Sequence, residues 1–173
     1  VNGQFSKAWL YQDALRPLSE VDAEGTFTHF VYTNADSAPD FILRSGKPYR
    51  IVKDHVGSVR LVVNAETGEI VQQIDYDEFE QVLQDTNPGF QPFGFTGGLY
   101  DAQMGLVRFG ARDYDASTGR WISKDPLGFA AHGTNLFAYA LSDPINHIES
   151  DGTRCLCVYN QRAIPAPLGR DRR

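Results

Sequence analysis

Cysteine is nearly absent from this 173-residue chain: Cys155 and Cys157 are all of it. Two cysteines do not make a disulfide-stapled scaffold. Two thiolates are too few for a closed zinc site, and cysteines one residue apart seldom bond each other without strain. Reduced or intermolecularly bonded thiols are expected, with metal binding a minor alternative and no cofactor. Long apolar runs are missing too: nothing approaches the roughly 18 residues that span a bilayer as a helix. There is no basic excess. Sixteen Lys and Arg stand against 22 Asp and Glu, for a net charge of −6 and a pI near 5.1. That balance argues against a nucleic-acid backbone as the main partner. Positive charge gathers only after Thr153, at Arg154, Arg162, Arg170, Arg172 and Arg173. No leader is legible and the first residue is Val, so the chain reads as a processed product or a piece of a longer protein.

Aromatics, by contrast, are plentiful at 12%, within an apolar fraction of 42%. That is enough for a packed core, and Tyr and Phe favour strands. One phrase recurs: an Asp or Asn opens a short polar loop that closes on Gly. It occurs at Asp22–Gly25, Asn64–Gly68, Asp101–Gly105 and Asp115–Gly119. The side-chain oxygen can accept backbone N–H groups of the turn, and Gly can take the left-handed conformation that ends it. The spacing is irregular, so this is a degenerate repeat and not a solenoid period. Alternating segments flank these turns, at Thr26–Tyr32, Phe41–Leu43, Tyr49–Lys53, Leu61–Val63, Glu69–Tyr76 and Leu106–Arg112. Residues 78–84 read as strand plus loop. Leu136–Leu141 predicts a short helix, N-capped by Thr134 or Asn135 and ended by Ser142-Asp143-Pro144. Residues 154–173 read as a basic, Pro- and Arg-rich, poorly packed tail.

Several phrases in this order resemble the C-terminal core-associated region of the RHS/YD-repeat proteins. Asp54-His55-Val56-Gly57-Ser58-Val59-Arg60 looks like that family's DHLGSxR box. Tyr76-Asp77-Glu78-Phe79 resembles YDPFG, with Glu80 in place of the Gly, and Phe93 to Gly98 resembles FxFTGG. Tyr100-Asp101, Gly105-Leu106, Arg108 to Asp115, Gly119-Arg120-Trp121, Asp125-Pro126-Leu127-Gly128 and Asn135 to Tyr139 continue the match, which covers about residues 5–153. The resemblance implies an all-β fold: YD-repeat hairpins in a spiralling antiparallel sheet (1–128), a short helical plug (129–153) and the tail (154–173). In such proteins the sheet closes into a hollow shell. The shell encloses a C-terminal toxin in bacterial polymorphic toxins and Tc complexes, and serves adhesion in teneurins. In many bacterial members the plug is an aspartyl autoprotease that cuts just after a DPxGL sequence.

This chain is too short for a complete shell, and its cleavage motif is altered. Glu149 stands where the family has Asp, Ser150 replaces Pro, and Thr153 replaces the Leu before the cut. Asp125 is the best catalytic candidate, with Asp143 or Glu149 as partner, because two close carboxylates can share one proton. The Thr153–Arg154 bond would be the site of cleavage. The plainer reading is that Asp125 opens a turn. Asp54, Gly57, Gly68, Asp101, Gly105, Asp115 and Gly119 are read as structural turn residues. Asp54, His55 and Ser58 lie too close in sequence to converge as a triad. Arg108, Arg112 and Arg120 read as cross-strand partners of Asp101, Asp113 and Asp115, each worth little if exposed. Tyr76, Tyr100, Phe109, Tyr114 and Trp121 read as cross-strand packing, with a carbohydrate platform as the alternative.

The favoured expectation is a non-enzymatic scaffold that associates through its sheet edges, with other RHS/YD-repeat segments or as an oligomer or filament of itself. The alternatives are an autoproteolytic plug with a C-terminal toxin cargo, and an adhesion or carbohydrate-binding module. A secreted or cell-surface location goes with all three.

Overall fold

Alternation of buried and exposed side chains builds most of the molecule. The computed structural model describes residues 7–13, 15–130, 134–153 and 155–157. Eight strands follow one another as an antiparallel meander: β1 (Lys7–Tyr11), β2 (Pro17–Asp22), β3 (Phe27–Val31), β4 (Phe41–Arg44), β5 (Lys47–Lys53), β6 (Val59–Asn64), β7 (Ile70–Tyr76) and β8 (Val82–Asp85). In β3, Thr28 and Phe30 are buried while Phe27, His29 and Val31 face outward. The register carries that split across the sheet, pairing Phe30 with Ile42 and Ile51 with Val62. One face thus assembles a core of Phe30, Ile42, Ile51, Val59, Val62, Ile74 and Phe93.

A second sheet follows: β9 (Leu99–Asp101), β10 (Leu106–Phe109), β11 (Arg112–Asp115) and β12 (Arg120–Trp121), in the order β12-β11-β10-β9. Its core is Phe95, Val107, Phe109, Tyr114, Trp121 and Tyr139, with Cys155. The segment Phe93–Gly98 links the two cores, sending Phe93 into the first and Phe95 into the second. Its glycines follow from close approach. A Cβ on Gly97 would lie 2.4 Å from the backbone N of Ala38, and one on Gly98 would lie 2.5 Å from Val107 Cγ1. Neither position has room for a side chain.

Two expectations are corrected. The helix over Leu136–Leu141 does not form; the stretch holds one turn, closed by Ala138 N–H on the Asn135 carbonyl, and a three-residue turn at Ala140–Ser142. Ala140, Leu141 and Ser142 all have positive φ, from 47° to 62°, so this turn is left-handed, and Ala138 bridges Arg120 at the sheet edge instead. Second, packed structure continues past residue 153. Cys155 is fully buried in the second core, and β14 (Leu156–Cys157) pairs with β13 (His147–Ile148). The remainder of the tail, 158–173, lies outside the described residues. The strand-plus-loop reading of residues 78–84 holds: a turn over 77–81 leads into β8, and that turn is a further copy of the recurring one. Asp77 Oδ1 accepts the N–H groups of Phe79 and Gln81 at 2.9 Å each, and Glu80 takes the left-handed position at φ +65°.

Candidate functional site

The recurring turns do what their residue types dictate. Asp54 Oδ1 accepts from the N–H groups of Val56 and Ser58. Asp101 Oδ1 accepts from Gln103 and Met104, and Asp115 Oδ1 from Ser117. The closing residues Gly57, Gly68, Gly105 and Gly119 all have left-handed backbone. His55 Nε2 lies 3.2 Å from the Ile145 carbonyl.

The second sheet buries a charge. Arg112, expected among the cross-strand pairs, points into the core, and its side chain is 1% exposed. Its guanidinium lies 4.1 Å from the Trp121 ring centroid. Nη2 lies 2.9 Å from Asp125 Oδ2 and 2.8 Å from Glu149 Oε2. Nε donates to the Gly152 carbonyl and Nη1 to that of Leu136. Glu149 is shared further: the Trp121 indole N–H donates to Oε2 at 3.2 Å, and the Ala140 N–H to Oε1 at 3.0 Å. Burial lowers the Arg112 pKa and raises that of Glu149; the mutual attraction of the two charges opposes both shifts.

Local chemistry explains each position. Arg112 is on β11, beside the β10–β11 turn, and the Asp151–Thr153 segment presses onto that turn. Ala111 N–H donates to the Asp151 carbonyl, and a Cβ on Gly152 would meet the Phe109 carbonyl oxygen at 2.5 Å. Asp125 opens its own turn, with Oδ1 accepting the Leu127 N–H at 2.8 Å while Oδ2 serves Arg112. Asp125 thus opens a turn, as its plainer reading expects, and the same side chain pairs with Arg112.

Of the three candidate acids, the fold brings Asp125 and Glu149 onto one guanidinium and leaves Asp143 elsewhere. Asp143 accepts from Asn146 Nδ2 and lies 3.5 Å from His147 Nδ1. Between Asp125 and Glu149 sits a cation, which attracts both carboxylates and works against their sharing a proton. Thr153 lies next to the Gly152 carbonyl that Arg112 holds; Arg154 lies outside the described residues. Of the five rings read as cross-strand packing or a carbohydrate platform, Phe109, Tyr114 and Trp121 are at most 2% exposed and pack on one another and on Tyr139, whereas Tyr100 is 39% exposed. Arg112 is the residue that sequence reasoning placed on the surface. Strand alternation, with buried Tyr114 two residues on, was the signal that put it inside.

The teneurin YD-shell family model matches residues 12–145 of this chain. Teneurin-1 of Gallus gallus is 35% identical over 113 residues, covering 62% of this chain and 4% of that protein. Teneurin-4 of Homo sapiens is 44% identical over 84 residues, covering 48% and 3%. Salivary gland surface protein 1 of Aedes aegypti is 34% identical over 112 residues, covering 63% and 3%. Among solved structures, the TcdB2-TccC3-Cdc42 crystal structure superposes with a TM-score of 0.60 at 17% identity, covering 85% of this chain and 9% of that one. The TcdB2-TccC3 structure without its hypervariable C-terminal region gives 0.61 at 19% identity, covering 79% and 7%. What is shared at such identities is the fold. The chain spans no more than 4% of the length of these curated relatives.

Proposed function

The chain belongs to the teneurin YD-shell family, a structural β-sheet scaffold, and on that premise we propose that it works by strand-to-strand association at its sheet edges. One observation carries this reading. In the eight-stranded sheet β1 is terminal, its outer edge has no partner among the described residues, and its side chains are mostly exposed. An edge strand presents a row of unpaired N–H and C=O groups, a template for another strand. The partner is another YD-repeat segment or a second copy of this chain, giving an oligomer or filament. A secreted or cell-surface setting is part of the proposal, in keeping with a relative named as a surface protein. Light scattering across a dilution series tests it. Mass should rise with concentration, and Leu10→Lys on β1 should suppress the rise; a compact monomer at every concentration overturns the reading.

A second reading rests on the closeness of Asp125, Glu149 and the Arg112-held Gly152 carbonyl to Thr153, and it requires the acids to act despite the cation between them. In it the C-terminal segment is cut autoproteolytically beside Thr153, releasing a toxin cargo that follows. Intact mass after purification separates the two. A product ending at Thr153 and abolished by Asp125→Asn supports the protease; a single species retaining residues 154–173 removes it.

A further inference from the structure

Glu80 breaks the turn pattern in two ways. It is left-handed where the other turns close on Gly, and its carboxyl turns inward. The residue is half-buried, and its Oε2 is sealed from solvent with no hydrogen-bond partner among the described residues. The Ser58 hydroxyl lies near enough to the carboxyl to pull its pKa down. Ser58 is itself fully buried, and its Oγ accepts the Thr96 N–H at 3.0 Å. Ser58 thus lies between Glu80 and the Phe95–Gly97 segment that joins the two cores, and the Tyr114 hydroxyl of β11 donates to the Phe79 carbonyl of the same turn at 3.0 Å.

The charged and titratable groups around Glu80 come from four places. Asp54 comes from the β5–β6 turn, Arg60 from β6, Tyr76 and Asp77 from its own hairpin, and Tyr114 from β11. Arg60 is the single cation among them, and it is engaged by Asp75 at 3.1 Å and lies over the Tyr76 ring. Asp54 and Asp77 both repel a second negative charge. Tyr76 Oη is, like Glu80 Oε2, sealed without a hydrogen-bond partner.

We propose that Glu80 is a proton-operated latch between the Asp77–Gln81 turn and the seam of the two sheets. Protonated, the carboxyl occupies this site without burying a charge. Ionised, it leaves a sealed, unpartnered carboxylate oxygen facing Asp54 and Asp77, and the turn moves outward to hydrate it. Burial pushes the Glu80 carboxyl up to about 7, against the pull of the Ser58 hydroxyl and with repulsion from Asp54 adding to the rise. A folded value above the ordinary one of 4.5 means that the stabilisation is complete below that ordinary value and is lost as pH rises through about 7. The seam therefore tightens on mild acidification and loosens at mildly alkaline pH. This inference does not depend on edge association.

The test compares thermal melts of the full chain with those of Glu80→Gln and Glu80→Gly, the second restoring the residue that the left-handed backbone prefers. The wild type should lose about 3 °C or more between about pH 6 and pH 8 relative to both variants. Histidine titration is common to all three and cancels in the difference. Hydrogen exchange, corrected for intrinsic rates, should show amides 77–81 opening in the wild type over the same interval. A wild-type carboxyl 13C resonance should titrate near pH 7 and be missing from both variants. Parallel melting curves for the three proteins, or no carboxyl resonance titrating above about pH 6, overturn the latch.

Discussion

At the residue scale, Arg112 holds together segments that the chain keeps far apart. It carries Asp125 and Glu149 on one guanidinium, and the carbonyls of Leu136 and Gly152 on its other nitrogens. Removing it leaves two buried acids facing one another. Arg112→Leu is therefore expected to cost about 3–5 kcal/mol, read from urea denaturation. Lysine should not rescue the loss, because one ammonium cannot reproduce the planar fork that reaches several acceptors at once. Glu149→Gln should cost less than Arg112→Leu, since Asp125 still answers the guanidinium and the amide oxygen still accepts from Trp121 or Ala140. The Glu149 pKa is raised by burial, so its contribution is greatest in acid and falls as pH rises through its folded value. It does not drive acid unfolding. The left-handed Ala140–Ser142 turn hangs on the same carboxylate, which takes the Ala140 N–H, and such backbone costs about 1–2 kcal/mol per non-glycine residue.

At the element scale, the hairpin turn is the repeated unit. Asp115 illustrates its energetics. The Ser117 hydroxyl holds the Asp115 carboxyl below the usual carboxylate range, offsetting the effect of burial, with Thr118 and two backbone N–H groups assisting. The resulting stabilisation is present above the ordinary value of 3.8 and is lost as pH falls through the lower folded value. Asp115→Ala should cost about 1 kcal/mol at neutral pH. Its stability should converge on the wild type in acid, as followed by denaturation at stepped pH. The Phe93–Gly98 link is the element least tolerant of added volume. Gly98→Ala drives a Cβ against Val107 and Phe109, an overpacking expected to cost about 1–3 kcal/mol in the same assay. The turns at Asp22, Asn64, Asp101 and Asp115 were legible because Asp or Asn and Gly mark both ends of the phrase. The loop at Asp77 was legible too, but not its left-handed closing residue, because Glu80 occupies the place of the glycine. The helix expected over Leu136–Leu141 failed because Glu149, Arg112 and the β12 edge bind its backbone groups in other ways.

At the scale of the whole molecule, two sheets with separate cores meet at one short link. Central strands β4 to β7 are flanked on both sides within their sheet, whereas β1 is terminal. Hydrogen exchange of the dilute protein should therefore show the slowest amides in β5 and β6 and the fastest strand amides in β1, with β1 protected on association. Uniform protection across the sheet would contradict that ordering. The sequence by itself determined the all-β class, the sites of most turns and the strand faces. These depend on a period of two and on residues within a few positions of one another. Only the tertiary structure decided that Arg112 is buried between two acids, that Asp143 stands apart from them, that Cys155 belongs to the core and that Glu80 turns inward. Each of those depends on contacts between segments far apart in the chain, such as Arg112 with Glu149 across 37 residues. Local patterning places a side chain on a face, but the burial, partners and charge of that face are set by whatever the fold lays against it.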